Sequence, residues 1–349
     1  MGPIGFLGAD WWGSDARATA AELRRRGGVL IERHYEDFLP TRWRSFLLRA
    51  CRRGLRPLIE REYNRAVAEL LNVHGLEFLL VFKGMLLHPE TLARFRDRGV
   101  PLYCIYPDVS FEDHGRNISQ CLPLYDCVFT TKPWHLEDAA LRQRLRELKL
   151  VPHGYDPEVH RRITPSQGLA AVYGCDASFV GAWSAKKQAL LRALVTRLPD
   201  IQLHIWGPAW GGADPVVRRY WKGRGAWGDE TAAIYRCSRI NLGLLSEAGT
   251  GTRSGDVTTA RTWQIPASGG FLLHEDTPEV RQAFEPDAEI GLFRDAEDLP
   301  ERAAFWLQNS AARETAANRA WERSQREGYT YSRAVDAVLA HHRARGTSQ

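Results

Sequence analysis

The stretch that decides the fold is residues 246–273, SEAGTGTRSGDVTTARTWQIPASGGFLL. It follows one apolar run (RINLGLL, 239–245) and closes on another (FLL), so it reads as strand, glycine loop, helix, strand. Gly249, Gly251 and Gly255 supply the loop. Asp256, Thr258 and Thr259 suit a helix start, because short oxygen-bearing side chains satisfy the first free backbone N–H groups. Gly269 and Gly270 end that helix, and the next strand begins at Phe271. A loop ahead of a capped structural helix would look the same. What adds chemistry is Arg261, one turn in: a helix N-terminus attracts an anion, and a guanidinium fork there fits a diphosphate.

The same rhythm runs outward in both directions. Toward the N-terminus, strands are expected at 3–8, 29–33, 78–83, 101–106, 126–130 and 149–152, with helices at 15–26 and 89–98. Residues 156–168 (DPEVHRRITPSQG) are polar and turn-rich and read as a linker. The pattern then restarts, with strands at 177–181, 201–206, 239–244, 270–274 and 289–293 and helices at 186–198, 300–308, 313–326 and 332–345. Near-continuous apolar strands alternating with helices indicate parallel sheets covered on both faces. The expectation is an α/β protein of two successive doubly wound, Rossmann-like domains facing each other, with the active site in the cleft between them.

Composition agrees. The 349 residues are 44% hydrophobic and 26% charged, with a formal net charge of +5, which excludes wholesale disorder. No apolar run approaches the roughly 20 residues of a membrane-spanning helix, and MGPIGFLGADWWGSD lacks the pattern of a secretory signal. A cytoplasmic protein is expected. Cys51, Cys104, Cys121, Cys127, Cys175 and Cys237 form no C-x-x-C pair and several lie in apolar runs, as free core thiols do. The histidines make no H-E-x-x-H and no zinc spacing, so no metal site is expected.

A second cluster, ASFVGAWSAKKQALL (177–191), places Gly181 at a strand end and Lys186 and Lys187 in the first turn of a helix. Lysine is disfavoured there by the helix dipole, so the pair reads either as a solvated face or as a partner for bound phosphate. No G-x-x-x-x-G-K-[ST] occurs and no G-x-G-x-x-G opens either domain, which weakens ATPase and dehydrogenase readings. No D-x-D occurs either. A nucleotide diphosphate would then be held by fixed cations and helix dipoles rather than through a metal.

With these residues in view, the second half resembles the spore-maturation CgeB-type group of glycosyltransferases, a GT-B branch related to the retaining group 1 enzymes. The resemblance rests on ASFVGAW with its basic pair, LHIWGPAW, IYRCSRINLGLL, DVTTARTWQIPASGGFLLHEDTPEVRQAF, EIGLFRDAEDLPERAAFWL and GYTYSRAVDAVL. It continues more loosely in the first half through VFKG, TLARFRDRGVPLYCIYPD, YDCVFTTKPW and VPHGYDPEVH. It implies a GT-B fold: an acceptor domain over 1–155, a linker over 156–170, a nucleotide-sugar donor domain over 171–328, and a helix over 329–349 crossing back to the first domain.

The resemblance also implies roles. Lys187 or Lys186 matches the basic residue on the donor diphosphate. Asp256 and Gln264, eight apart, match two acidic residues that bracket the donor site, the second of which usually binds the ribose hydroxyls. The usual Phe-Glu pair is Trp263-Gln264 here, and glutamine can hydrogen-bond but cannot act as a carboxylate. Ala226–Trp227–Gly228 matches the loop that holds the base, where Trp227 either stacks or packs. The implied activity is a hexosyltransferase-like transfer from a nucleotide diphosphate sugar such as a UDP-sugar, without metal or other cofactor and with retention. The alternatives are a degenerate nucleotide-sugar-binding protein and a GT-B epimerase or phosphorylase.

The first domain would bind a small-molecule, glycan or lipid-linked acceptor. Asp10, Asp108 and His114 follow its strands and could orient or deprotonate a hydroxyl, although a helix cap and turn chemistry equally account for Asp10 and Asp108. Residues 38–59 hold six arginines and no acid, interleaved with Trp43, Phe46, Leu47 and Leu48. A peripheral membrane contact, a groove for a phosphorylated acceptor and a solvated helix all fit this pattern; nucleic acid does not, for want of a binding module.

Overall fold

The computed structural model describes residues 2–39, 46–112, 115–247 and 255–346, with side chains from position 54 onward in the second span. The chain divides into two compact units, Met1–Pro152 with Tyr331–Gln349, and His153–Thr330.

In the first unit β1 (Pro3–Leu7), β2 (Val29–Arg33), β3 (Phe78–Phe82), β4 (Leu102–Tyr106), β5 (Cys127–Thr130) and β6 (Leu148–Leu150) form one parallel sheet. Its order is β2-β1-β3-β4-β5-β6. The helices are α1 (Asp15–Arg25), α2 (Phe46–Ala68), α3 (Pro89–Asp97), α4 (Arg116–Cys121) and α5 (Ala139–Arg144). Every residue of FLLVF and LYCIY in β3 and β4 is buried, because helices cover both faces. Leu79 and Val81 join Tyr63, Val67, Leu92 and Phe95 from α2 and α3. Phe78 and Leu80 join Ala16, Ala20 and Leu23 of α1 together with Val335, Val338 and Leu339 from the C-terminal helix. Each fully buried aliphatic or aromatic chain here stabilises the fold by roughly 1.5–3 kcal/mol.

The second unit holds β7 (Cys175–Val180), β8 (Leu203–Trp206), β9 (Ser238–Gly243), β10 (Leu272–Glu275) and β11 (Gly291–Phe293), all parallel, in the order β11-β10-β9-β7-β8. Its helices are α6 (Gln167–Tyr173), α7 (Ala185–Arg197), α8 (Pro215–Arg218), α9 (Asp229–Cys237), α10 (Ala260–Ala267), α11 (Pro278–Ala283), α12 (Asp298–Gln308) and α13 (Ser310–Arg326). The leucine stripe of α7 is buried at Leu190, Leu191 and Leu194. The last helix, α14 (Ser332–Gly346), packs on the first unit, where Arg26 Nη2 donates to Asp336 Oδ2 at 2.8 Å and the Tyr103 hydroxyl lies 3.1 Å from His342 Nδ1.

Residues 156–168, polar enough to read as a linker, are fixed to the second unit. Asp156, Val159 and His160 are buried, Tyr155 bridges to Thr330, and Ser166 caps α6 by accepting from Leu169 N. Local polarity misleads here because His160 Nδ1 and the Asp156 backbone satisfy each other at 3.2 Å. Cys104, Cys121, Cys127 and Cys175 are buried free thiols whose ionisation is pushed up by burial. No helix among the described residues is long and apolar enough to cross a membrane.

Each sheet has a switch point, where the chain leaves two adjacent strands in opposite directions: β1 beside β3, and β7 beside β9. The loops beyond the carboxyl ends of those strands are where such sheets bind ligands.

Candidate functional site

At the switch point of the second unit the turn after β7 is made unusually tight by two glycines. Gly207 sits at φ +147°, and a Cβ on it would lie 1.9 Å from Gly181 O. A Cβ on Gly181 would in turn meet the Phe179 ring at 2.7 Å and Arg261 Nη1 at 2.9 Å. Trp210 Nε1 locks the turn by donating to Gly181 O at 2.9 Å. The chain then enters α7 through Ser184, its N-cap.

Lys187 is 4% exposed, and its Nζ donates to Ser246 Oγ at 2.8 Å and to Ala182 O at 3.3 Å. Burial, with Arg261 adding repulsion, pulls its ammonium down to about 8. Lys186 reaches the other way, its Nζ 2.6 Å from Glu275 Oε2 at the end of β10. Glu247, just past β9, lies over the N-terminus of α7. Its Oε1 accepts from Lys186 N at 3.1 Å and its Oε2 from Ser184 Oγ at 2.8 Å. Burial pushes this carboxyl up, but hydrogen bonds from its own backbone, Ser184 and Lys186 N outweigh that and hold it below the usual range. A carboxylate therefore occupies the place where a helix N-terminus receives an anion.

The α10 side of the site is equally closed. Asp256, 3% exposed, accepts from Ser246 N at 3.1 Å. Thr258 and Thr259 are buried, and Thr259 N donates to Thr262 Oγ1 at 3.0 Å as α10 begins. Arg261 does not extend from the helix as an open fork. Its Nη1 and Nη2 donate to Val180 O at 3.2 Å and Leu244 O at 2.6 Å, bracing the ends of β7 and β9, with the guanidinium 5.1 Å from the Phe179 ring centroid. Spacing along a helix does not show which strand carbonyls lie beneath a side chain, so these two contacts were not legible in the sequence. Three cations (Lys186, Lys187, Arg261) and three carboxylates (Glu247, Asp256, Glu275) thus balance in this cluster.

Gln264 is half-buried on α10, and Trp263 beside it is core, with its ring 4.8 Å from Tyr329. Trp227 is 58% exposed, with its ring against Gly225, and Gly228 (φ +59°) is the N-cap of α9. Gly249 and Gly251 lie outside the described residues.

In the first unit, Lys83 Nζ is 2.6 Å from Asp108 Oδ2, tying the ends of β3 and β4 together. Lys83 itself has φ +69°. Asp15, in the first turn of α1, faces the same group: burial raises its carboxyl to about 6 against a hydrogen bond from Tyr331, with Asp108, Lys83 and Lys132 close enough to act on its charge. Asp10 stands exposed and paired with Arg17 at 3.1 Å. His114 and, within 38–59, residues 40–45 and the side chains up to 53 lie outside the described residues. Cys127, Glu147 and His341 bring possible ligand atoms within 4.8 Å of one another. Lys149 Nζ already fills the place of a cation there, 2.9 Å from Glu147 Oε1 and 2.9 Å from His341 Nδ1.

Sequence reading missed Ser246, Glu247 and Glu275 in the second unit and Asp15, Lys83 and Lys132 in the first. The available signal was position: each stands at or just beyond the carboxyl end of a strand, or opens the helix that follows one.

Residues 186–340 match a family described as glycosyl transferase-like. The sucrose-phosphate synthase of Thermosynechococcus elongatus superposes with a TM-score of 0.64 at 13% identity, covering 100% of both chains. The UDP-forming α,α-trehalose-phosphate synthase of Burkholderia vietnamiensis gives 0.62 at 13%, covering 100% of this chain and 99% of that one. HepE of Anabaena, solved with UDP and glucose, gives 0.58 at 12%, covering 98% and 99%. These likenesses show the GT-B fold. No curated protein matches the chain in sequence.

Proposed function

We propose that this chain is a glycosyltransferase, of the CgeB-type group, that moves a sugar from a nucleotide diphosphate sugar to an acceptor hydroxyl without a metal and with retention. The observation that carries the reading is the Glu247 carboxylate on the α7 N-terminus beside Lys186 and Lys187. That arrangement is an anion receptor with an internal occupant, and a donor diphosphate takes the place of the carboxylate. Displacing Glu247 frees Lys186 N and Ser184 Oγ, and the nearby Lys187 and Lys186 ammonium groups favour a leaving group whose charge grows during transfer. Arg261 acts from below, as the brace that fixes β7 against β9. Gln264 meets the ribose and Trp227 the base. UDP is the first donor base to try, because HepE was solved with it.

The acceptor side belongs to the first unit, where Asp108, fixed by Lys83, orients the hydroxyl, and Asp15, held near 6, is suited to proton transfer near neutral pH. A catalytically degenerate nucleotide-sugar-binding protein is the second reading, favoured by glutamine at position 264. Thermal-shift measurements with UDP, GDP, dTDP and their sugars in the presence of a chelator test the proposal. Stabilisation followed by donor hydrolysis or transfer supports it. Stabilisation without turnover against a broad acceptor panel favours the second reading, and no stabilisation by any nucleotide refutes both.

A further inference from the structure

At the opposite end of the second sheet, where β9 and β10 begin, lies a cavity of about 330 Å³. Its wall includes Arg162, Arg236, Arg239 and Arg313, with Glu314 as its acid and Asn318 beside it. Two of these arginines have structural work. Arg239 donates to Asp176 Oδ1 at 2.7 Å and to Leu307 O at 2.6 Å. Arg313, 7% exposed, donates to Trp306 O and, at 3.4 Å, to Leu307 O, so both close the C-terminal end of α12.

That role does not extend to the other two. Arg162 Nη2 donates to the neutral Asn318 Oδ1 at 2.6 Å and its guanidinium lies 5.2 Å from the Trp321 ring centroid. Arg236 Nε is buried and makes no hydrogen bond among the described residues. Counting Glu314 and Asp176 against the four guanidinium groups leaves two positive charges uncompensated. Gathering like charges in a cavity costs the fold, and burial together with Arg239 already lowers the Arg313 guanidinium. A bound dianion removes that cost, and planar guanidinium forks match phosphate oxygens in pairs.

We infer that this cavity is a second anion site, which takes the phosphate group of a small phosphorylated molecule. The charge deficit equals that of a phosphate monoester dianion. The volume admits a small metabolite, and a nucleic acid would need a track of cations rather than one cavity. The six residues of β9 separate it from the proposed donor site by roughly 15–20 Å, so its ligand is distinct from the donor.

The test is calorimetric titration of the full chain with inorganic phosphate and, separately, with glycerol 3-phosphate. Wild type is expected to bind at least one with a Kd of about 1 mM or tighter. Arg236→Gln and Arg162→Gln each weaken it about tenfold, while Arg236→Lys retains part of the affinity and Arg218→Gln, on exposed α8, retains all of it. Tighter binding of glycerol 3-phosphate identifies an organic phosphate as the ligand; equal binding identifies the free ion. The proposal is overturned if neither probe binds, or if binding survives both glutamine variants. Loss of binding in Lys187→Met alone overturns it too, since that places the anion at the donor end.

Discussion

Lys187 Nζ donates to Ser246 Oγ at 2.8 Å, and this bond ties the turn after β7 to the segment after β9 across the switch point of the second sheet. Burial holds the ammonium at about 8, so its charge is carried at a cost to the fold below that pH. Replacing Lys187 by methionine removes that cost and loses two hydrogen bonds, to Ser246 Oγ and Ala182 O. Lys187→Met is therefore expected to gain about 1–2 kcal/mol of stability at pH 7 in urea unfolding. The unfolded lysine titrates near 10.5, so wild-type stability rises between pH 8 and 10.5 and the advantage of the variant fades across that window. If Lys187 meets the proposed donor diphosphate, binding needs the charged form, and nucleotide affinity of wild type is expected to decline above about pH 8. In Lys187→Met affinity drops roughly 10–100-fold at pH 7. A variant that is less stable and binds UDP normally would remove Lys187 from the donor site.

Glu247 supplies a sharper discriminator, because its removal should improve binding. With its carboxylate on Ser184 Oγ and Lys186 N, it competes with any incoming phosphate. Glu247→Ala is expected to tighten UDP binding about tenfold by titration calorimetry and to lower Tm, since α7 loses a favourable charge at its N-terminus. Unchanged affinity would place the diphosphate elsewhere.

The repeating strand and helix pattern was legible because both sheets are buried on both faces, so each strand shows as an apolar run, as FLLVF and LYCIY do. The C-terminal helix was legible through Val335, Val338 and Leu339, which cover the first sheet. Long-range pairing was not. Nothing near Glu247 in the chain indicates that it meets Ser184, and nothing near Arg261 indicates that Val180 O and Leu244 O lie under it. The helix Asp229–Cys237 also escaped, because its buried Ile234 and Tyr235 merge with the apolar strand that follows.

Gln264 stands where the resembled group usually carries glutamate. It is half-buried on α10, on a helix whose neighbouring Trp263 anchors in the core, so its backbone position is set. If it meets the ribose, Gln264→Glu replaces a neutral acceptor by a charged one and tightens UDP binding by about tenfold, the yield of one charge-assisted hydrogen bond. Equal affinity for the two forms would remove the ribose role.

Acid stability depends on histidines that are buried neutral. His274 is fully buried, with Nε2 accepting from Thr262 Oγ1 at 2.9 Å and Nδ1–H donating to Glu275 O at 2.6 Å, and burial lowers it to about 4. His135, between Thr130 Oγ1 at 2.6 Å and Val109 O at 3.0 Å, is likewise lowered by burial to about 4. Between pH 6.5 and 4 the unfolded chain binds protons that the folded one refuses. Their contribution is complete above pH 6.5 and is lost as pH falls toward 4, each group adding up to about 1.4 kcal/mol per pH unit. Urea unfolding at pH 7, 6 and 5 should show this slope, and His274→Gln should flatten it by one proton's worth; an unchanged slope would assign the acid sensitivity to other groups.

The glycine crossing at the ends of β7 and β8 connects stability to the site. At Gly207, alanine meets two obstacles: φ +147° is unfavourable for any L side chain, and its Cβ would lie 1.9 Å from Gly181 O, which is backbone and cannot swing away. Gly223 separates the two effects, since it has φ +77° but nothing within 4 Å of an added Cβ. Gly223→Ala should therefore cost about 1 kcal/mol, the strain of a left-handed residue alone. Gly207→Ala should cost about 3 kcal/mol or more, because the strands must also part. The parting moves Gly181 and the turn leading to Ser184 and Lys187, so nucleotide affinity should fall in Gly207→Ala and hold in Gly223→Ala. Equal destabilisation by the two variants in urea unfolding would show that the crossing has room to relax, and that the turn holding Lys187 is not built on it.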